Sequence, residues 1–335
     1  MPMSDTLVVN EIYLSLQGES TFAGLPCIFV RLAACDLRCS YCDTAYAFTE
    51  GTKKTLAEIR DEIQRLAAPF DTPGSTFYAS DVREPRASGS PSPPLEERVG
   101  ERRPVTILDA GARGEIPTGC RTNLAGVRAE DNDLLSLPLS SKGGEGTGAA
   151  ASEHRDACKR QNPVGQRLPL VELTGGEPLL QKNSLLLMRT LCDDGFTVLL
   201  ETSGAHDIAP VDPRVRRIMD LKCPGSGEAA RNRWENLPQL RSTDEIKFVI
   251  TTREDYEWAR ERIAEHKLTA LCPLLFSWAH PLAPEQRDKS LKPVPPGHTP
   301  ISRQELAEKI IADALPVRFQ VQLHKVIWPP AERGV

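Results

Sequence analysis

Along most of this chain, short runs of aliphatic and β-branched residues alternate with segments of helical period. That alternation restricts the fold more than any other feature. The pattern predicts strands over residues 7–12, 28–32, 170–173, 196–201, 215–221, 244–250, 269–274 and 317–323. It predicts helices over 55–68, 179–192, 253–266 and 302–315. The first helix carries its own start signal. Thr55 stands at the N-cap with Glu58 three residues on, and Leu56, Ile59, Ile63 and Leu66 share a face. In the third, Tyr256, Ala259 and Ile263 are spaced to point inward. Strand–helix alternation argues for a parallel α/β sheet, whose chemistry gathers at the carboxyl ends of the strands.

The alternation fails between residues 79 and 167. Ser88-Gly-Ser-Pro-Ser-Pro-Pro94 is turn chemistry, 96–103 is a charge run, and 140–151 is rich in Gly, Ser and Ala. Without apolar periodicity such a stretch cannot offset its own ordering entropy, so it reads as a disordered insertion. Pro-Ser-Pro-Pro-Leu-Glu-Glu at 91–97 and Ser-Ser-Lys-Gly-Gly-Glu at 140–145 fit translation of an inverted repeat in the gene. A smaller irregular stretch spans 280–300. The expected catalytic domain is therefore 1–78 joined to 168–335.

Bulk properties exclude several classes. The net charge of −5 argues against a nucleic-acid binder that relies on a basic face. No apolar run reaches the roughly 18–20 residues of a membrane helix. Nine cysteines, an odd number, and no signal-peptide pattern argue against a disulfide framework and for a reducing cytoplasm.

Three of those cysteines, Cys35, Cys39 and Cys42, form a C-x3-C-x2-C run directly after the predicted strand 28–32. Thiolates ligate iron–sulfur clusters. A cubane has four irons, so three thiolates leave one iron open for a substrate or cofactor. The alternative, a structural zinc site, prefers four ligands in two pairs, and no second pair stands in the chain. Further on, Thr174-Gly175-Gly176-Glu177-Pro178 lies between a predicted strand and a helix, where glycines let backbone approach a ligand closely. Together the two motifs resemble the radical S-adenosylmethionine (SAM) superfamily. There the open iron chelates SAM and the cluster cleaves it to a 5′-deoxyadenosyl radical.

Additional segments narrow the resemblance. They are Glu11-Ile-Tyr-Leu-Ser-Leu-Gln-Gly-Glu19, Gly24-Leu-Pro-Cys-Ile-Phe-Val-Arg31 and Cys42-Asp-Thr-Ala-Tyr46. Glu201-Thr-Ser-Gly204, Asp220-Leu-Lys-Cys-Pro224, Asp244-Glu-Ile-Lys-Phe-Val-Ile250 and Gln322-Leu-His-Lys325 follow in order. The set resembles the 7-carboxy-7-deazaguanine synthase family over nearly the whole chain outside the irregular stretches. The resemblance implies an incomplete (β/α) barrel of the radical SAM type. It implies a lyase that turns 6-carboxy-5,6,7,8-tetrahydropterin into 7-carboxy-7-deazaguanine with release of ammonia, on the route to queuosine and other 7-deazapurines. The cofactors implied are a 4Fe-4S cluster, SAM and Mg2+. The partners are the small-molecule pterin, an electron donor such as flavodoxin, and a second copy of the chain in a homodimer, with no nucleic acid and no membrane.

Roles follow from the resemblance position by position. Cys35, Cys39 and Cys42 would hold the cluster and Thr44 the Mg2+. Leu16, Gln17, Gly18, Arg31, Thr174 and His324 would meet the pterin, with Glu19 adding a hydrogen bond. Tyr41, Asp43, Gly176, Glu177, Ser203, Lys222 and Ser277 would meet SAM. Ser277 departs from the family pattern, since Ser277-Trp-Ala-His stands where Ser-Pro-Val is usual. The tail Trp328-Pro329-Pro330 would close the pocket. Rival readings are a glycyl-radical activating enzyme, which has a similar cysteine run but lacks the Gln17-Gly-Glu19 loop and the Gln322-Leu-His-Lys325 tail, and a zinc-binding module.

Overall fold

Among the described residues, nine strands form one sheet, in the spatial order β3-β1-β2-β4-β5-β6-β7-β8-β9. The structure is a computed structural model that describes residues 5–71 and 168–335. These residues fall in one compact unit, formed by Met1–Ala79 with Pro163–Val335. The predicted insertion over 79–167 lies outside the described residues. Strands β1 (Thr6–Leu16) and β2 (Pro26–Leu32) form an antiparallel hairpin, and β3 (Thr52–Thr55) joins the free side of β1. From β2 onward every pairing is parallel: β4 (Leu170–Gly175), β5 (Val198–Thr202), β6 (Arg216–Asp220), β7 (Glu245–Ile250), β8 (Leu274–Trp278) and β9 (Arg318–Val321). β3 and β9 stand at the two edges, so the sheet is open. Of the expected incomplete barrel, the structure shows an α/β fold with an open, mostly parallel sheet.

Among the described residues, four helices of ordinary length follow from local signals. Helix α1 (Leu56–Ala67) starts at the expected capping box. Thr55 Oγ1 accepts from Glu58 N at 3.2 Å, and Glu58 Oε2 accepts from Thr55 N at 2.7 Å. Helix α2 is Asn183–Asp193, later than the predicted 179–192. Glu177 first caps a single 3-10 turn, Pro178–Leu180, and the α-helix begins beyond it. Helix α3 (Arg253–Glu265) has a second capping box, Thr252 with Asp255, and buries Tyr256, Ala259 and Ile263 as expected. Helix α4 (Arg303–Ala312) is capped by Ser302.

Four local expectations need correction. Residues 268–270 form a 3-10 turn, not a strand, and β8 begins only at Leu274. The β-branched Thr269 was misleading, because Lys267 in the left-handed region redirects the chain there. The last strand, predicted over 317–323, ends at Val321, and His324 opens a four-residue helix, α5 (His324–Ile327). Strand β1 runs on to Leu16, beyond the predicted 7–12. Polar β3 gave no apolar signal and was missed. Among the described residues, no helix is long and apolar enough to cross a membrane.

The two faces of the sheet differ in chemistry, and strand alternation sorts residues between them. Val30, Leu32, Val171, Leu173, Val198 and Leu200 point to the side where Ile59 and Ile63 of α1 and Leu187 and Leu191 of α2 pack. Ile246, Phe248 and Ile250 do the same under Tyr256 and Ile263 of α3. On the opposite face, Cys27, Phe29, Leu170, Leu199, Ile218 and Leu275 form a smaller apolar layer, closed by Phe22. Beyond that layer, toward the carboxyl ends, the same face turns polar.

Candidate active site

The polar end of the inner face opens into a cavity of about 920 Å3. Register places its walls: Arg31 stands beside Thr174, Asp220 beside Lys247, and Val249 beside Ser277. Of the cations that line it, four each meet a carboxylate on or beside the strand ends. Arg31 Nε donates to Glu11 at 2.7 Å and its Nη2 to the Tyr13 hydroxyl at 2.8 Å. Lys222 Nζ donates to Asp220 at 2.6 Å. Lys247 donates to Glu201, with Glu19 at 3.6 Å on its other side. Lys325 donates to Asp43 at 2.5 Å. Burial would discharge Lys247, but Glu19 and Glu201 outweigh it and hold its pKa above the ordinary value. Burial likewise works against ionised Asp43, yet Lys325 and its hydrogen bond bring the carboxyl down to about 2.

The cysteine loop is tied down from three directions. Gly176 N donates to Leu32 O at 2.9 Å and Glu177 N to Ala34 O at 2.8 Å, which fastens the glycine loop to it. A Cβ on Gly176 would come within 1.8 Å of Ala34 O, so only glycine permits this approach. From the loop after β6, Ser226 O accepts from Ser40 N at 3.0 Å and Gly225 O from Ser40 Oγ at 2.6 Å. From the C-terminal end, Gln322 and Lys325 both donate to Asp43. Leu323 N donates to Gly18 O, so the same segment also pins the Gln17-Gly-Glu19 loop.

Of the residues expected to touch ligands, Leu16, Gln17, Gly18, Arg31, Thr174 and His324 all line this one cavity. So do Tyr41, Asp43, Gly176, Ser203, Lys222 and Ser277, together with Cys35, Cys39, Cys42 and Thr44. Glu177 does not. It is fully buried, and its carboxylate accepts from Leu179 N at 3.0 Å, Thr202 Oγ1 at 2.9 Å and Ser203 N at 2.7 Å. Its place is beneath Ser203, which it positions. The Ser277 hydroxyl donates to Glu19. Burial lowers the His324 pKa and favours the neutral ring.

Sequence reasoning passed over several residues of this site. Glu172 and Lys247 are each flanked by apolar residues in strands buried on both faces, and a charge at such a position was the available signal. Residues 285–289, read as part of an irregular stretch, stand at the cavity wall, where Arg287 Nη1 donates to Ser40 O at 3.3 Å. The tail contributes 330–335. There Arg333 lies 3.7 Å from the Tyr46 ring centroid and pairs with Glu50 at 3.0 Å.

The donor set suits a cluster held by thiolates. Cys35, Cys39 and Cys42 are free thiols on one loop facing one cavity. Burial pushes Cys35 and Cys39 up to about 11, and Cys42 in the same direction. A metal that binds them displaces those protons. Among the described residues, no three His, Cys, Asp or Glu side chains close on a single point as ligands of one ion do. In a cubane each thiolate takes its own iron. The Tyr41 hydroxyl and Asp220 Oδ1 are buried in the wall without a hydrogen-bond partner, as groups that await a polar ligand would be.

No family model matches the chain. It is similar to the 7-carboxy-7-deazaguanine synthase of Koribacter versatilis (strain Ellin345), with 34% identity over 330 residues, 98% of this chain and 99% of that protein. The 7-carboxy-7-deazaguanine synthase of Chlorobaculum tepidum is 30% identical over 332 residues, 98% of this chain and 97% of its own. In fold the chain resembles the crystal structure of QueE from Escherichia coli, with a TM-score of 0.50, 15% identity and 95% of each chain covered.

Proposed function

The chain belongs to the 7-carboxy-7-deazaguanine synthase family, and we propose that it converts 6-carboxy-5,6,7,8-tetrahydropterin into 7-carboxy-7-deazaguanine with loss of ammonia. The observation that carries this reading is the convergence of three free thiols, the Gly176 backbone, Arg31 and Thr174 on one cavity. When bound, a 4Fe-4S cluster on Cys35, Cys39 and Cys42 and its SAM supply hydrogen-atom abstraction. The chain's own part is to bind, orient and exclude water. Arg31 spends two of its five N–H donors on Glu11 and Tyr13, which fixes the guanidinium and leaves donors for the substrate carboxylate. Thr174, held by Glu201 at 2.9 Å, faces the pterin beside it. Gly176, Ser203, Tyr41 and Lys222 form the SAM side, with Glu177 fixing Ser203 from below. Thr44 offers a hydroxyl oxygen suited to Mg2+, a hard cation that keeps substrate oxygens in its shell. The tail and residues 285–289 screen the site from water, which protects a carbon radical from quenching.

The full reading includes an incomplete radical SAM barrel, a one-electron donor such as a flavodoxin, a homodimer and a cytoplasmic setting. It treats residues 79–167 as dispensable: a chain lacking 80–166 retains turnover, and complete loss in soluble protein contradicts this. The direct test of function is mass spectrometry of reconstituted protein incubated with SAM, reductant, Mg2+ and the carboxytetrahydropterin. The deazaguanine acid is the expected product, and unchanged pterin in the presence of an intact cluster contradicts the reading.

A further inference from the structure

Three carboxyls on the sheet line the cavity, and they are not alike. Glu201 and Asp220 each hold a lysine ammonium. Glu172, on β4 and 2% exposed, has no cation within ion-pair distance among the described residues, and its hydrogen bond comes from the Gln17 amide. One amide N–H uses a fraction of what a carboxylate can accept. A buried acceptor left this way is costly unless something else meets it.

The surroundings specify what that something is. Phe29 is the register neighbour of Glu172, and its ring stacks on Tyr13 with centroids 5.2 Å apart and planes 18° apart. Ile218 and Val249 supply apolar wall on the other strands. A flat ring laid against this surface presents its edge to Glu172. The edge that suits a carboxylate is one with two parallel N–H groups, as in a 2-amino-4-oxopyrimidine, where the ring N–H and the exocyclic amine stand side by side.

We infer that Glu172, oriented by Gln17, is a specificity-determining residue that accepts both N–H groups of the substrate's 2-amino-4-oxo edge and so selects a 2-amino ring over its 2-oxo counterpart. The inference rests on the pterin reading given above. Arg31 takes the carboxylate end and Glu172 the amidine end, so the two fix the ring in its plane. A site built around such an acceptor rejects an analogue that lacks the donor, because the buried carboxylate is then unmatched. This role accounts for a charge flanked by the apolar Leu170, Val171 and Leu173 of β4.

The test compares wild type with Glu172→Gln, an isosteric change, on 6-carboxytetrahydropterin and on its 2-oxo analogue. The visible band of the reconstituted cluster confirms that both proteins are folded and loaded. For the 2-amino substrate, Glu172→Gln is expected to lose about 10- to 100-fold in kcat/KM, mainly through KM, the size of a charge-assisted hydrogen bond. For the 2-oxo analogue the variant is expected to exceed wild type, since the Gln amide can donate to the new carbonyl. Binding of oxidised 6-carboxypterin, read by fluorescence quenching, should weaken in parallel. A variant with wild-type KM and unchanged discrimination overturns the inference while the function stands. A wild-type protein that turns over neither compound overturns the function, and the inference with it.

Discussion

The two faces of one sheet have been put to opposite uses. Toward the helices, β2, β4, β5 and β7 present Val, Leu, Ile and Phe side chains that are almost all fully buried. Toward the cavity, the same strands present Arg31, Thr174, Glu201 and Lys247 one residue away. The backbone is shared, so alternation alone separates stability from chemistry. The helical face gains from area removed from water. The cavity face buries charge, which is tolerated because each ammonium or guanidinium stands on a carboxylate. The comparison teaches that disturbing the helical face should move stability and leave kinetics, while disturbing the cavity face should act on kinetics first and on stability only through the charges buried there.

The sharpest break is Gly176→Ala. Its Cβ would meet Ala34 O at 1.8 Å and Cys35 N at 3.0 Å, both backbone atoms of the cysteine loop. We expect this variant to fold, lose all turnover and retain little iron after reconstitution, read as iron per chain. On the helical face, Phe248→Ala removes a fully buried ring that packs edge-on against Phe276 at 5.6 Å. A loss of about 3–5 kcal/mol is expected by denaturant titration, with kcat of the folded fraction unchanged.

The next prediction concerns pH. Before a ring binds, burial, reinforced by Glu201, pushes the Glu172 carboxyl up to about 8, against the opposing influence of Gln17 and Lys247, while Glu19 adds to the rise. Two N–H donors of a bound ring favour the ionised form and displace the proton. Between the ordinary value near 4.5 and about 8 the folded chain holds a proton that the unfolded chain has released. Its contribution to stability is therefore complete at the acid end and declines as pH rises, by at most about 1.4 kcal/mol per unit. Glu172→Gln should flatten this slope in unfolding experiments run across that window; a variant with the wild-type slope assigns it to another group. The smallest effect belongs to Thr55→Ala, which removes the cap of α1 at a residue that does not line the cavity. About 1 kcal/mol of stability should go, with kcat and KM unmoved.

The legibility of the sequence followed the same division. Helix-side residues announce themselves by period, so α1, α3 and the cores of β2, β4, β5, β6 and β7 were readable from spacing. The capping box at Thr55 marked one helix start, whereas the one at Thr252 became visible only in the structure. Polar elements were not readable by that route. β3 is Thr-Lys-Lys-Thr and carries no apolar signal. The strand at 274–278 was displaced in the reading because Lys267 turns the chain where β-branched Thr269 suggested extension. On the cavity face, contiguous motifs such as the cysteine run and Gly175-Gly176 were visible. Contacts across the sequence were not. Nothing local tells that Glu177 faces Thr202 and Ser203, or that Lys325 reaches Asp43 across 282 positions.

The central claim is that the cavity face carries three thiolates which together leave one iron of a cubane open to SAM. Anaerobic reconstitution followed by electron paramagnetic resonance of the reduced protein, with and without SAM, tests it most directly. The account predicts four irons per chain, as a single cubane requires, and a reduced-cluster signal that shifts when SAM is added. A colourless protein, or a cluster signal indifferent to SAM, contradicts it.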